Sequence, residues 1–115
     1  MRALLGLAIL VLPVLANAAD DEQLIESLLT AVGTSDCTFI RNGKEYPAKE
    51  AEDHLRMKYR RGKRYVSNVD TFIKRIATKS SMSGKPYRIR CESTDAIATA
   101  DWLSMKLDEI RKQSS

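Results

Sequence analysis

The chain has one histidine, two cysteines and no apolar run long enough to cross a bilayer. Each shortage excludes a class of protein. His54 with Cys37 and Cys91 leaves mainly carboxylates as metal ligands, whereas structural zinc takes four nitrogen or sulfur donors. No DxDxDG pattern is present for calcium. No metal centre and no cofactor are expected. A nucleophile elbow of the G-x-S-x-G type is absent. Ser83-Gly84-Lys85 is not a phosphate cradle, because a GxxxxGK[ST] loop lies between a strand and a helix. Here the predicted order is helix, loop, strand.

The longest apolar run, Ala3 to Leu15, is thirteen residues and contains Pro13. A membrane-spanning helix needs about 20. Arg2 before that run and Ala16-Asn17-Ala18 after it form a secretory signal, with cleavage expected after Ala18. The next residues are Ala19 and Asp20, so there is no cysteine for lipid attachment. Removing 18 of 115 residues leaves 97, one small domain without stable membrane insertion. Arg2 leaves with the signal, so 18 Lys and Arg face 15 Asp and Glu, a net charge of +3. In an oxidising compartment two cysteines without CxxC spacing read as one structural disulfide, Cys37–Cys91. Closing this loop of 54 residues stabilises by about 4 kcal/mol in the chain-entropy model.

Hydrophobic spacing places the elements. Leu24, Ile25, Leu28, Leu29 and Val32 predict a helix over 21–32, with acidic residues at its start and Gly33 as a C-terminal cap. Residues 37–41 and 44–46 predict two strands joined by Asn42-Gly43, the preferred pair for a type I′ turn. Pro47 is expected to stop the pairing, and it suits the first turn of the next helix. Ala48, Ala51, Leu55 and Tyr59 share one face of that helix, which ends at Gly62. Ser67 is the expected N-cap of a further helix, with Asp70 three residues on and Val69, Phe72, Ile73 and Ile76 turned inward. Residues 80–85 read as a loop, and 86–91 alternate like a half-buried strand. Ala98, Trp102, Leu103, Leu107 and Ile110 predict a C-terminal helix with 112–115 frayed. The order is α-β-β-α-α-β-α: an α+β domain with a small antiparallel three-stranded sheet and about four helices.

Several fragments occur in a specific order: Phe39-Ile40-Arg41-Asn42-Gly43, Ala51 with His54-Leu55-Arg56 and Lys58, Phe72-Ile73 with Ala77, Ser80-Ser81, and Ser83-Gly84-Lys85-Pro86-Tyr87. In these the chain resembles the YfeK-like family of small proteobacterial envelope proteins, a domain of unknown function. The resemblance implies a periplasmic protein of a Gram-negative cell, and it supplies no activity. It marks Arg41, Asn42, His54, Ser81 and Lys85 as residues of possible role.

His54 is either a general base oriented by Glu50 or Asp53, or a boundary histidine packing beside the hairpin or the 80–85 loop. Ser80, Ser81 and Ser83 are either nucleophile candidates or hydroxyls that satisfy turn amides. Met57, Met82 and Met105 are either core fillers or part of an exposed apolar patch. The strongest interaction signal is the run Arg56, Lys58, Arg60, Arg61, Lys63 and Arg64, interleaved with Tyr59 and Tyr65. Arginine forks suit phosphate and carboxylate. Positive charge also suits a helix C-terminus by itself. In the envelope the anionic partners are lipid phosphates, lipopolysaccharide, wall-polymer carboxylates or an acidic protein surface, and export removes nucleic acid. The expectation is a non-enzymatic binding module for an anionic envelope component or protein partner. The alternatives are an inhibitor or chaperone-like partner of one periplasmic protein, and a small hydrolase using His54.

Overall fold

The computed structural model describes residues 18–92 and 95–114. The expected signal segment, residues 1–17, lies outside them. Four helices and a four-stranded antiparallel sheet alternate along the chain: α1 (Ala18–Gly33), β1 (Thr38–Arg41), β2 (Lys44–Pro47), α2 (Ala48–Gly62), α3 (Val69–Arg75), β3 (Arg88–Arg90), β4 (Ile97–Ala98) and α4 (Thr99–Ser114). A single 3₁₀ turn, Lys63–Tyr65, extends α2. The α+β class holds, with one strand more than the three expected. That strand, β4, is two residues long and pairs with β3, too short to show a period-2 pattern of its own.

The sheet order is β2-β1-β3-β4. Asn42 and Gly43 both take positive φ, 53° and 79°, as a type I′ turn requires. The turn fixes the register at Arg41 opposite Lys44. Phe39 and Ile89 pair across β1 and β3, and both are buried. The Phe39 ring meets Trp102 of α4 edge-on at 6.3 Å, which seats the sheet against that helix. Helix α1 is central to the helical layer and packs on α2, α3 and α4 through Ile25, Leu28, Leu29 and Val32, all nearly inaccessible. The Cys37–Cys91 disulfide bridges the residues just outside the Thr38–Arg90 pair, so it staples β1 to β3 at one end of the sheet.

Four local expectations are revised. Pro47 does not stop the strand pairing. It is the last β2 residue, opposite Thr38, and the N-cap of α2. As an edge-strand residue it lacks only an N–H that the ladder does not need. The N-cap of α3 is Asn68 rather than Ser67: its Oδ1 accepts from the Thr71 amide at 2.8 Å. Asp21 of α1 accepts from the Val69 amide at 3.0 Å, so an acidic residue at the start of one helix caps another. Gly33 is not a left-handed cap, since it is absent from the positive-φ residues. A Cβ there would fall 1.8 Å from Glu52 Oε1, so a side chain at this position would have to displace Glu52 of α2. The C-terminal helix continues through Ser114, past the point where fraying was expected.

Candidate functional site: a cationic groove

Helix α2 directs its charged residues to two faces. His54, Lys58 and Arg61 follow the i, i+4, i+7 spacing that aligns side chains along one side of a helix. Glu52, Arg56 and Lys63 align along another. On that second face the charges are consumed internally. Arg56 makes a bidentate pair with Glu26 of α1, at 2.9 and 2.6 Å, and donates through Nε to Glu52 at 2.8 Å. Glu52 also accepts from Lys49 at 3.3 Å. The two carboxylates raise the Arg56 pKa further, and the hydrogen bonds from Arg56 hold Glu26 below its ordinary value. Lys63 pairs with Glu22 of α1 at 3.6 Å and sits over the Tyr59 ring.

The face bearing His54 opens on a groove of about 480 Å³. Arg41 comes from the end of β1, Lys58 and Arg61 from α2, and Arg75 from the end of α3. Asn42, Tyr65, Ser80, Ser81 and Tyr87 add to its polar lining, and among the described residues no aspartate or glutamate lines it. Arg41, Arg61 and Arg75 form no ion pair among the described residues. Arg41 lies over the Tyr46 ring, 4.6 Å from its centroid.

A buried tyrosine organises the inner wall. Tyr87 is 6% exposed. Its hydroxyl lies 3.2 Å from His54 Nε2 and receives a hydrogen bond from Lys58 Nζ at 2.9 Å. Lys58 also donates to the Lys79 carbonyl at 3.0 Å. Burial and then the Arg41 charge push the Lys58 pKa down. His54 titrates below its ordinary 6.5, first because of burial, then because of Arg41 and Lys58. Burial raises the Tyr87 phenol. At neutral pH the cluster therefore holds a neutral imidazole beside cations, with Tyr87 as the shared hydrogen-bonding partner.

The serines support the rim. Ser80 is buried, and its Oγ accepts from the amides of Met82 and Ser83, both at 3.3 Å. Its backbone bonds Gly84 and Lys85. Asn42 donates to Ser80 Oγ at 3.4 Å and accepts from Ser83 Oγ, tying the hairpin turn to the 80–85 loop. His54 makes its side-chain hydrogen bond with Tyr87 and none with a serine among the described residues.

Of the residues marked by the family resemblance, Arg41, Asn42, His54 and Ser81 meet at this groove. Lys85 contributes its backbone to the loop, and its side chain is exposed. The basic run does not form one surface. Lys58 and Arg61 reach the groove, Arg56 and Lys63 face the acids of α1, and Arg60 and Arg64 are exposed, with Arg64 over Tyr65. Arg75 was not visible in the charge run, because it is separated from it by a whole helix. Its position in the last turn of α3 was the available signal.

Behind His54 and Tyr87 lies a second, smaller cavity of about 80 Å³. Phe39, Ile40, Ala51 and Leu55 line it, and it shares Arg41, His54 and Tyr87 with the groove. Thr99, the first residue of α4, lies on its wall. Among the described residues, no cluster of three or more His, Cys, Asp or Glu has a metal-binding arrangement, and no helix is long and apolar enough to cross a membrane.

Residues 19–111 match a family of unknown function, DUF5329, and the chain belongs to it. It is 38% identical over 81 residues to the uncharacterized protein YfeK of Salmonella typhimurium, covering 69% of this chain and 68% of that one. No solved structure matches the chain.

Proposed function

Proceeding from that membership, we propose that the chain is a non-catalytic, anion-binding module of the periplasm. The observation that carries this reading is the groove itself: four cationic side chains from three elements converge on it, and among the described residues no carboxylate shares its lining. A concave surface lined by one sign of charge focuses its field and concentrates counter-ions. Arginine forks then give directional contacts to phosphate or carboxylate. Periplasmic residence is supported by the signal pattern of residues 1–18 and by the Cys37–Cys91 pairing.

The test is titration of inorganic phosphate into the purified protein at low and high salt. Binding is expected to weaken with salt, and to fall at least about tenfold when Arg41, Arg61 and Arg75 are changed together to glutamine. Changing Arg60 and Arg64 to glutamine is expected to leave it unaltered. Equal loss in both variants would mean that only net charge matters and would overturn the groove reading.

A second reading has one observation in its favour. Tyr65 and Met82, 58% and 97% exposed, stand on the rim of the groove, which suits a protein partner that the module inhibits or shields. Alanine at both positions is expected to abolish such capture without altering phosphate binding.

A further inference from the structure

We propose that the small cavity behind His54 and Tyr87 completes the groove as a site for a small organic anion, its charged end at Arg41 and its neutral, hydroxyl- or carbonyl-bearing end against Thr99. This rests on the anion-binding reading and narrows its ligand. Three observations lead to it.

The first is continuity. Arg41, His54 and Tyr87 line both the groove and the cavity, so a ligand held by its charge at Arg41 has the cavity within reach. The second is an orphan hydroxyl. Thr99 is 1% exposed, and its Oγ1 is the buried side-chain polar atom without a hydrogen-bond partner among the described residues. Its amide is not at fault, since that donates to the Tyr87 carbonyl at 2.9 Å. A buried hydroxyl left unpaired costs about 1–3 kcal/mol, and a ligand oxygen placed beside it removes that cost. The third is size and charge. An apolar cavity of about 150 Å³ accepts benzene, and this one is about half as large. It admits a few non-hydrogen atoms and excludes a long acyl chain. Glu50 on the cavity wall repels a second negative end. The ligand therefore carries one charged end and a short neutral one.

The experiment compares ω-hydroxycarboxylates of three to six carbons with the unsubstituted acids of equal length, and with inorganic phosphate, by calorimetry and by NMR of the full-length mature protein. The expected result is that the best-fitting hydroxy acid binds about 2- to 10-fold tighter than its parent acid and shifts the Thr99 amide and methyl signals. Thr99→Val, which keeps the shape and removes the hydroxyl, is expected to abolish that preference. Ala51→Leu is expected to fill the cavity and remove all dependence on chain length, with phosphate binding retained and the melting temperature reporting that the fold is intact. If phosphate binds through Arg41 but no hydroxy acid exceeds its parent, or Thr99→Val keeps the preference, the inference is overturned and the groove reading stands. If neither phosphate nor any carboxylate binds, both are overturned.

Discussion

On one face of α2, Arg56 and Lys63 are answered by Glu26, Glu52 and Glu22. On another, His54, Lys58 and Arg61 meet Arg41 and Arg75 with no acid in the lining among the described residues. Both faces draw on the same basic stretch of sequence, and they use its charge differently. Where each cation has a nearby carboxylate, the charge fixes α1 against α2. Where cations accumulate without acids, the fold carries an uncompensated repulsion. Burial first, and the neighbouring cations second, lower the Lys58 and His54 pKa values there. Density of charge along a chain therefore does not identify a site. The informative feature is charge that the rest of the fold does not answer.

The paired face is expected to fail most severely. In Arg56→Met the Glu52 carboxylate, with a side chain only 10% exposed, keeps Lys49 alone as its partner. The expected loss is about 2 kcal/mol in denaturant unfolding. A loss below about 0.5 kcal/mol would place this pair with ordinary surface pairs and dissolve the contrast between the faces.

Gly33→Ala sharpens the comparison through sign. Alanine in a helix is worth up to about 1 kcal/mol over glycine, so an open position would become more stable. Here the new Cβ would meet Glu52 Oε1 at 1.8 Å and Glu52 Cβ at 3.2 Å. Arg56 holds that carboxylate in place, so a destabilisation of about 1–3 kcal/mol is expected. Thermal unfolding that moved upward would show that Glu52 is free to swing aside.

The smallest expected effect lies on the groove face and is read by pH. Folded His54 titrates below its ordinary 6.5. The unfolded chain therefore binds the proton more readily, and stability falls as pH drops below that value. Its neighbours are Arg41 from β1, Lys58 and Glu50 from α2, and Tyr87 ahead of β3. Arg41→Gln removes one of the two cations that lower it, so an NMR titration is expected to show the His54 pKa rising. Bound phosphate is expected to raise it as well. An unchanged pKa in Arg41→Gln would mean that burial and Lys58 set it without Arg41.

Much of the fold is legible in the sequence, and the reasons are local. Asn42-Gly43 specifies its turn because both positions need positive φ, and the turn sets the register of β1 with β2. The apolar spacing of α1 and α4 follows from a helix burying one stripe. The short strand β4 was not legible, because two residues acquire strand geometry only by lying beside β3. Ser67 and Asn68 are both good caps, and the choice between them depends on how α3 enters the core. At the site, Arg41, Asn42, His54 and Ser81 were marked by family resemblance, whereas Arg75 and Thr99 were not marked at all. Their significance comes from neighbours distant in sequence.

By itself, then, the sequence determined the helix and strand preferences, the hairpin turn, the single possible intrachain cysteine pair and the excess of positive charge. These depend on backbone conformation, side-chain periodicity and composition, all of which act over a few residues. Tertiary structure decided which charges are answered. Packing α1 against α2 brought Glu26 to Arg56, beside the Glu52 of its own helix. Bringing the hairpin and α3 beside the opposite face left Arg41, Lys58, Arg61 and Arg75 around one groove. Coulomb energy and desolvation depend on distance in space and on burial, and chain order specifies neither.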